Sequence, residues 1–132
     1  MHKLILLLVL LNLTCILGCR KEKIDNTLTG RWELRSTAGG YNMPHTYTPG
    51  NGTILKFEDD KYYRYSNGQL VKSGTYTLVE GRSFDNRRMN QIIYDGDTSF
   101  PTKFLEIRKG KLIIYLGAHI SLDGAVVQYE KL

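Results

Sequence analysis

The chain has 132 residues, with 18 Lys and Arg against 13 Asp and Glu for a net charge of +5, and 42% of its residues are hydrophobic. That length bounds it to one domain, and two cysteines exclude a disulfide framework. The basic side chains, among them Arg31, Arg35, Lys56, Arg64, Lys72, Lys103, Arg108 and Lys131, are scattered along the chain. Without a basic helix or stripe, nucleic acid is excluded as a partner.

The N-terminus is a leader. Lys3 precedes an unbroken apolar run from Leu4 to Leu11, too short for a membrane span of about 20 residues but right for a secretory signal. The run ends in Ile16-Leu17-Gly18-Cys19, which resembles a bacterial lipobox. The resemblance implies that residues 1–18 are removed, Cys15 with them, and that Cys19 is lipidated, so membrane lipid is the first partner. It implies the bacterial cell envelope as location, facing periplasm or cell surface. The absence of an aspartate directly after Cys19 favours the outer over the inner membrane. Each buried acyl methylene contributes about 0.8 kcal/mol, so two or three chains anchor stably. With the remaining cysteine acylated, thiol catalysis and cysteine-ligated metals drop out. Residues 19–27 are polar apart from Ile24 and read as a tether.

Structure begins at Leu28. In Gly30-Arg31-Trp32-Glu33-Leu34-Arg35, Trp32 and Leu34 alternate with charged residues, the pattern of a strand with one dry face. Seven more runs rich in Val, Ile, Tyr, Phe and Thr follow: Gly52–Glu58, Lys61–Ser66, Gln69–Val79, Met89–Tyr94, Thr102–Arg108, Lys111–Gly117 and Gly124–Lys131. Asn67-Gly68 and Lys109-Gly110 mark tight hairpins, and Asp59-Asp60 a third. The eight runs form a meander, and closing the first onto the last removes both edges. The sequence thus predicts an all-β, eight-stranded antiparallel up-and-down barrel over residues 28–132. Connections alternate between its ends. One end receives the long segments Ala38–Asn51, Asp95–Pro101 and Ala118–Asp123; the other receives two tight turns and Glu80–Arg88. The first reads as a mouth, the second as a base.

Gly30-Arg31-Trp32, the long first loop, and the phrases Ile54-Leu55-Lys56-Phe57, Tyr63-Arg64-Tyr65 and Ser73-Gly74-Thr75-Tyr76-Thr77-Leu78 resemble the lipocalin-like domain of small bacterial lipoproteins, a calycin-type barrel. The chain lacks the Thr-Asp-Tyr turn, the C-terminal helix and the disulfide of typical lipocalins. The resemblance implies that Trp32 packs at the closed base beside Gly30, under a basic side chain from near the last strand, for which Lys131 is the candidate. It also implies that the first loop is a lid.

Strand alternation places Leu34, Phe57, Tyr63, Tyr65 and Tyr76 inside the barrel, where they would line a site for a small apolar or amphipathic ligand. Tyr41, Met43, His45 and Tyr47 lie on the first loop, which either closes over a ligand as a lid or plugs the barrel with its own aromatics. Asp95-Gly96-Asp97 fits a turn better than the start of a calcium site. His45 and His119 have no carboxylate pattern beside them. Asn51-Gly52-Thr53 fits a glycosylation sequon and, better, a turn. No catalytic, cofactor or metal motif is present. The expectation is a non-enzymatic, membrane-anchored binding barrel. The alternative is an interaction or inhibitor module of the envelope with a solid core and a protein partner.

Overall fold

The computed structural model describes residues 27–40, 42–83, 85–99, 101–117 and 124–132. The leader, Cys19, the tether through residue 26, Tyr41 and His119 lie outside the described residues. Nine strands follow one another: β1 (Gly30–Gly39), β2 (Asn42–Thr46), β3 (Ile54–Glu58), β4 (Lys61–Ser66), β5 (Gln69–Arg82), β6 (Arg88–Tyr94), β7 (Lys103–Arg108), β8 (Lys111–Leu116) and β9 (Ala125–Lys131). All pairings are antiparallel, from β3 through β9 between chain neighbours. β9 returns to β1, from Lys131 opposite Trp32 to Ala125 opposite Gly39. The sheet therefore closes into the eight-stranded all-β barrel that the turn pattern predicts, with β2 as an added strand. Asn67-Gly68 and Lys109-Gly110 both hold positive φ at their two central residues, as two-residue hairpin turns require.

The first loop is not the free segment expected. The Gly30–Glu33 half of β1 pairs with β3, and its Ser36–Gly39 half pairs with β2. β9 occupies the other edge of β1 along both halves. β2 and β3 are thus two pieces of one wall position, interrupted by the excursion 47–53. Pro44 is tolerated because β2 has β1 as its single partner strand among the described residues. The base-side connection is also shorter than predicted. β5 runs on to Arg82 and pairs there with Arg88, leaving residues 83–87 as the turn.

The floor of the barrel is filled. Trp32, Phe57, Tyr62, Ile92 and Leu112 are fully enclosed, with Leu28, Leu55, Tyr94, Leu105 and Ile114 packed around them. Tyr62, not Tyr63 or Tyr65, is the inward tyrosine of β4. The Glu58–Lys61 turn places Tyr62 opposite inward Phe57 and Tyr63 opposite outward Lys56. Facing residues across an antiparallel pair share one side of the sheet, so Tyr63 and Tyr65 lie on the outer wall. Leu34, Phe57 and Tyr76 share the inner face with Trp32.

Candidate functional site

The floor is held by specific contacts. Trp32 Nε1 donates to the Leu28 carbonyl oxygen at 2.8 Å, and Lys131 Nζ lies 5.4 Å from the indole centroid. Gly30 faces the Lys131 stem: a Cβ there would come within 3.1 Å of Lys131 Cε. Phe57 meets Tyr76 edge-on at 4.9 Å and Tyr62 meets Tyr94 at 4.7 Å, arrangements that aromatic quadrupoles favour.

Above this floor the inward residues are less enclosed. Thr37, Leu116, Ala125, Val127 and Tyr129, inward by register, are half-buried. Across from them the inner positions of β4 and β5 are Arg64 and Lys72, which are exposed and stand directly opposite each other. By register, the inner positions above the floor are thus apolar along β8 and β9 and cationic along β4 and β5.

The cationic side is built on a network. Tyr62 Oη donates to Asp95 Oδ2 at 2.7 Å, and the Thr75 amide donates to Oδ1 at 3.0 Å. The Tyr62 hydroxyl, followed by the Thr75 amide and Lys72, holds the Asp95 carboxyl below its ordinary range. Gly74 makes room for this carboxylate, since a Cβ there would lie 1.9 Å from Asp95 Oδ1. Lys72 Nζ is 3.5 Å from Asp95 Oδ2. The Arg64 guanidinium lies 5.2 Å from the Tyr94 ring centroid and 5.8 Å from that of Tyr62. It forms no ion pair with any described carboxylate.

The Tyr94 hydroxyl is buried without a hydrogen bond of good geometry, and the Arg64 side chain is its polar neighbour. Burial pushes its pKa up, with Arg64 opposing the rise. Tyr129 is likewise raised by burial, with Arg64 and Tyr47 as its charged or polar neighbours. An orphaned buried hydroxyl costs about 1–3 kcal/mol. Tyr94→Phe is therefore expected to keep or raise the melting temperature, which differential scanning calorimetry would show.

The residues expected to form a lid are divided. Met43 stands in solvent at 87% exposure, and His45 is exposed with its ring edge-on to Tyr47 at 4.6 Å. Among the described lid residues Tyr47 alone is half-buried. The excursion after it is fastened to β1. Glu33, 3% exposed on the outer face, accepts the Gly50 amide at 3.0 Å and the Gly52 amide at 3.3 Å. Arg35 Nη1 donates to the same carboxylate at 2.6 Å, and its Nε donates to Glu130 at 3.0 Å. Asn51 Nδ2 donates to the Leu34 and Thr48 carbonyls. The expected mobile lid is thus a clasped piece of wall.

Tyr63 takes the Lys56 ammonium 5.1 Å from its ring, and Tyr65 pairs with Leu70 on the outer wall. A register shift between Arg64 and Tyr65 sets Leu70 and Val71 side by side in solvent, at 55% and 62% exposure. Clefts lined by described residues include two. One of about 480 Å³ lies at the base, where β6 and β7 pair only at Asn90–Leu105 and Gln91–Phe104 and then splay beside Glu80 and Arg88. One of about 270 Å³ lies on the outer wall between Arg31, Ile54, Lys56, Tyr65 and Gly68.

Among the described residues no three His, Cys, Asp or Glu side chains gather as a metal site. Asp95 is engaged by Tyr62, and Asp97 accepts the Ser99 amide at 2.9 Å, as a turn requires. Strand alternation alone missed Tyr62, Arg64, Lys72 and Tyr94 as inner residues. The two-residue Asp59-Asp60 turn carries the needed signal, because it fixes Phe57 opposite Tyr62 and hence Leu55 opposite Arg64. Comparison with protein-family models, with curated proteins and with solved structures returned no match to this chain.

Proposed function

We propose that this protein is a lipid-anchored, non-enzymatic barrel of the bacterial envelope that holds a small amphipathic molecule at its mouth. The observation that carries this reading is the two-sided inner face above the floor. Leu116, Val127 and Tyr129 are inner positions of β8 and β9, and Arg64 and Lys72 are inner positions of β4 and β5. The filled floor beneath sets a shallow depth, so the ligand is gripped at one end and not swallowed. The lipobox-like Ile16-Leu17-Gly18-Cys19 supports acylation of Cys19. Because Leu28 is bonded to Trp32 at the base, a tether from Cys19 would approach that end and leave the mouth pointing away from the membrane.

Native mass spectrometry of the full chain, extracted in mild detergent from its own membranes, tests the reading. One small molecule retained per chain and a diacyl or triacyl mass on the Cys19 peptide are expected. An unmodified chain with its leader intact would overturn the anchoring. The paired exposure of Leu70 and Val71 beside Tyr65 favours a second reading, a docking wall for an envelope protein. A stoichiometric protein partner with no retained small molecule would select that reading over the first.

A further inference from the structure

We infer that the outer wall over β1, β3 and β4 receives an extended acidic segment of a partner protein, with its carboxylates at Arg31 and Lys56 and an apolar side chain in the cleft beside Ile54 and Tyr65; this rests on the docking-wall reading above and not on the mouth ligand. Register lays two rows across this outer face. Lys56 stands between Arg31 on β1 and Tyr63 on β4. Two residues back along β3, Ile54 faces Tyr65, which in turn faces Leu70. The first row is cationic at Arg31 and Lys56, the second is apolar, and they lie about 7 Å apart along β3. Arg31 and Lys56 are directly opposed, and like charges in that relation repel. Lys56 is relieved by Glu58 at 2.8 Å. Arg31 is exposed and forms no ion pair with any described carboxylate.

The outer-wall cleft of about 270 Å³ joins the two rows. Buried Ile54 and half-buried Tyr65 give it an apolar lining, and Arg31 and Lys56 a cationic one. Its Gly68 side is fixed in place, because the Gly68 amide donates to the Gly52 carbonyl oxygen at 3.1 Å. Charge and spacing select the occupant. On an extended chain, a carboxylate and an apolar side chain two residues apart project to one side about 7 Å apart, the spacing of Lys56 and Ile54. A further carboxylate answers Arg31, whose planar fork takes two oxygens. Leu70 and Val71, exposed beside Tyr65, continue the apolar row past the cleft, which suits a peptide better than a small anion. The carboxylates of the wall do not fill this role. Glu33 is occupied by Arg35, Gly50 and Gly52. Glu58 is exposed, so its pair with Lys56 exchanges at little cost.

The test follows the fluorescence anisotropy of a dye-labelled peptide in which glutamate and phenylalanine alternate with threonine, titrated with the detergent-solubilised full chain. A twin peptide carries glutamine in place of glutamate. The acidic peptide should bind about tenfold more tightly than its twin. Arg31→Gln and Lys56→Gln should each reduce that ratio about threefold and together remove it. Lys111→Gln, which neutralises an exposed cation on β8, should leave it unchanged. Equal binding of the two peptides, unaffected by Arg31→Gln and Lys56→Gln, overturns the acidic partner and leaves the docking wall standing. Binding of neither peptide overturns the acidic partner alone if a stoichiometric protein is still recovered with the chain from its membranes, and overturns both readings if none is. Loss of acidic-peptide binding in micelles doped with phosphatidylglycerol, and not with phosphatidylcholine, assigns the two cations to a lipid surface and overturns the protein partner.

Discussion

Trp32→Ala is expected to be the most destabilising single substitution in the barrel. The indole is fully enclosed, lies between Leu55 on β3 and Lys131 on β9, and donates Nε1 to the Leu28 carbonyl. Its removal takes away a large apolar surface, opens a cavity at the closure seam and orphans a carbonyl. Such truncations cost about 3–5 kcal/mol out of a total of about 5–15 kcal/mol for a domain. The melting temperature should fall by more than about 10 °C, and the variant should accumulate poorly. Lys131→Met separates the cation from the packing: it keeps the stem against Gly30 and should cost no more than about 0.5–2 kcal/mol. If both variants melt alike, the floor is not organised around the indole.

Glu33→Gln should produce the second-largest loss, about 1.5–3 kcal/mol, the range for hydrogen bonds to a charged group. One amide cannot replace a carboxylate that accepts from Gly50, Gly52 and Arg35 together. The Gly50 amide first, and the Arg35 guanidinium next, hold the Glu33 carboxyl below its ordinary value. A lowered folded pKa contributes stability that is fully present above the unfolded value of about 4.3. It is lost as pH falls through the lowered folded value. Urea unfolding between neutral pH and the acid limb should therefore show a shallower decline for Glu33→Gln than for wild type. The slope should not vanish, since Asp95 is also held low by Tyr62. Equal slopes would mean that the clasp on the 47–53 excursion is not electrostatic. Proteolysis within 47–53 should be faster in the variant, because the segment loses its fastening.

The barrel was legible because its signals are local. Alternation around Trp32, two hairpins with glycine at the second central position, and the lack of any helical period leave closure as the way to bury one face of eight strands. Local signals are also where the reading erred. Tyr63 and Tyr65 alternate correctly with each other, but alternation has two phases and β4 carries tyrosines in both. The phase is set by pairing with β3, a non-local fact that the Asp59-Asp60 turn encodes only when Phe57 is already known to face inward. The first loop was misread because Gly39, Gly40, Pro44 and Pro49 are turn-formers by composition. Yet among the described residues β2 pairs with β1 alone, an edge position in which a proline is tolerated. Glu33 gave no sign of its role. In an alternating strand a charged residue is read as solvated, and the amides that bury it arrive from seventeen and nineteen residues away. The polar part of the inner face was hidden for a similar reason, since Arg64 sits at an inner position of a barrel presumed apolar.

The stagger of β5 reaches beyond the ligand question. Its first half, Gln69–Thr75, pairs with β4, and its second half, Tyr76–Arg82, pairs with β6. Past Tyr76, whose amide reaches Asp60, one margin of the strand therefore runs on beside partly exposed Leu78 and Val79 without a β4 partner among the described residues. A closed cylinder nominally offers nothing for another chain to stack on, but this tongue does. Glu80, Arg82 and Arg88 cluster at its tip, where charge acts as a gatekeeper against self-association. Neutralising them would leave the barrel prone to edge-to-edge aggregation.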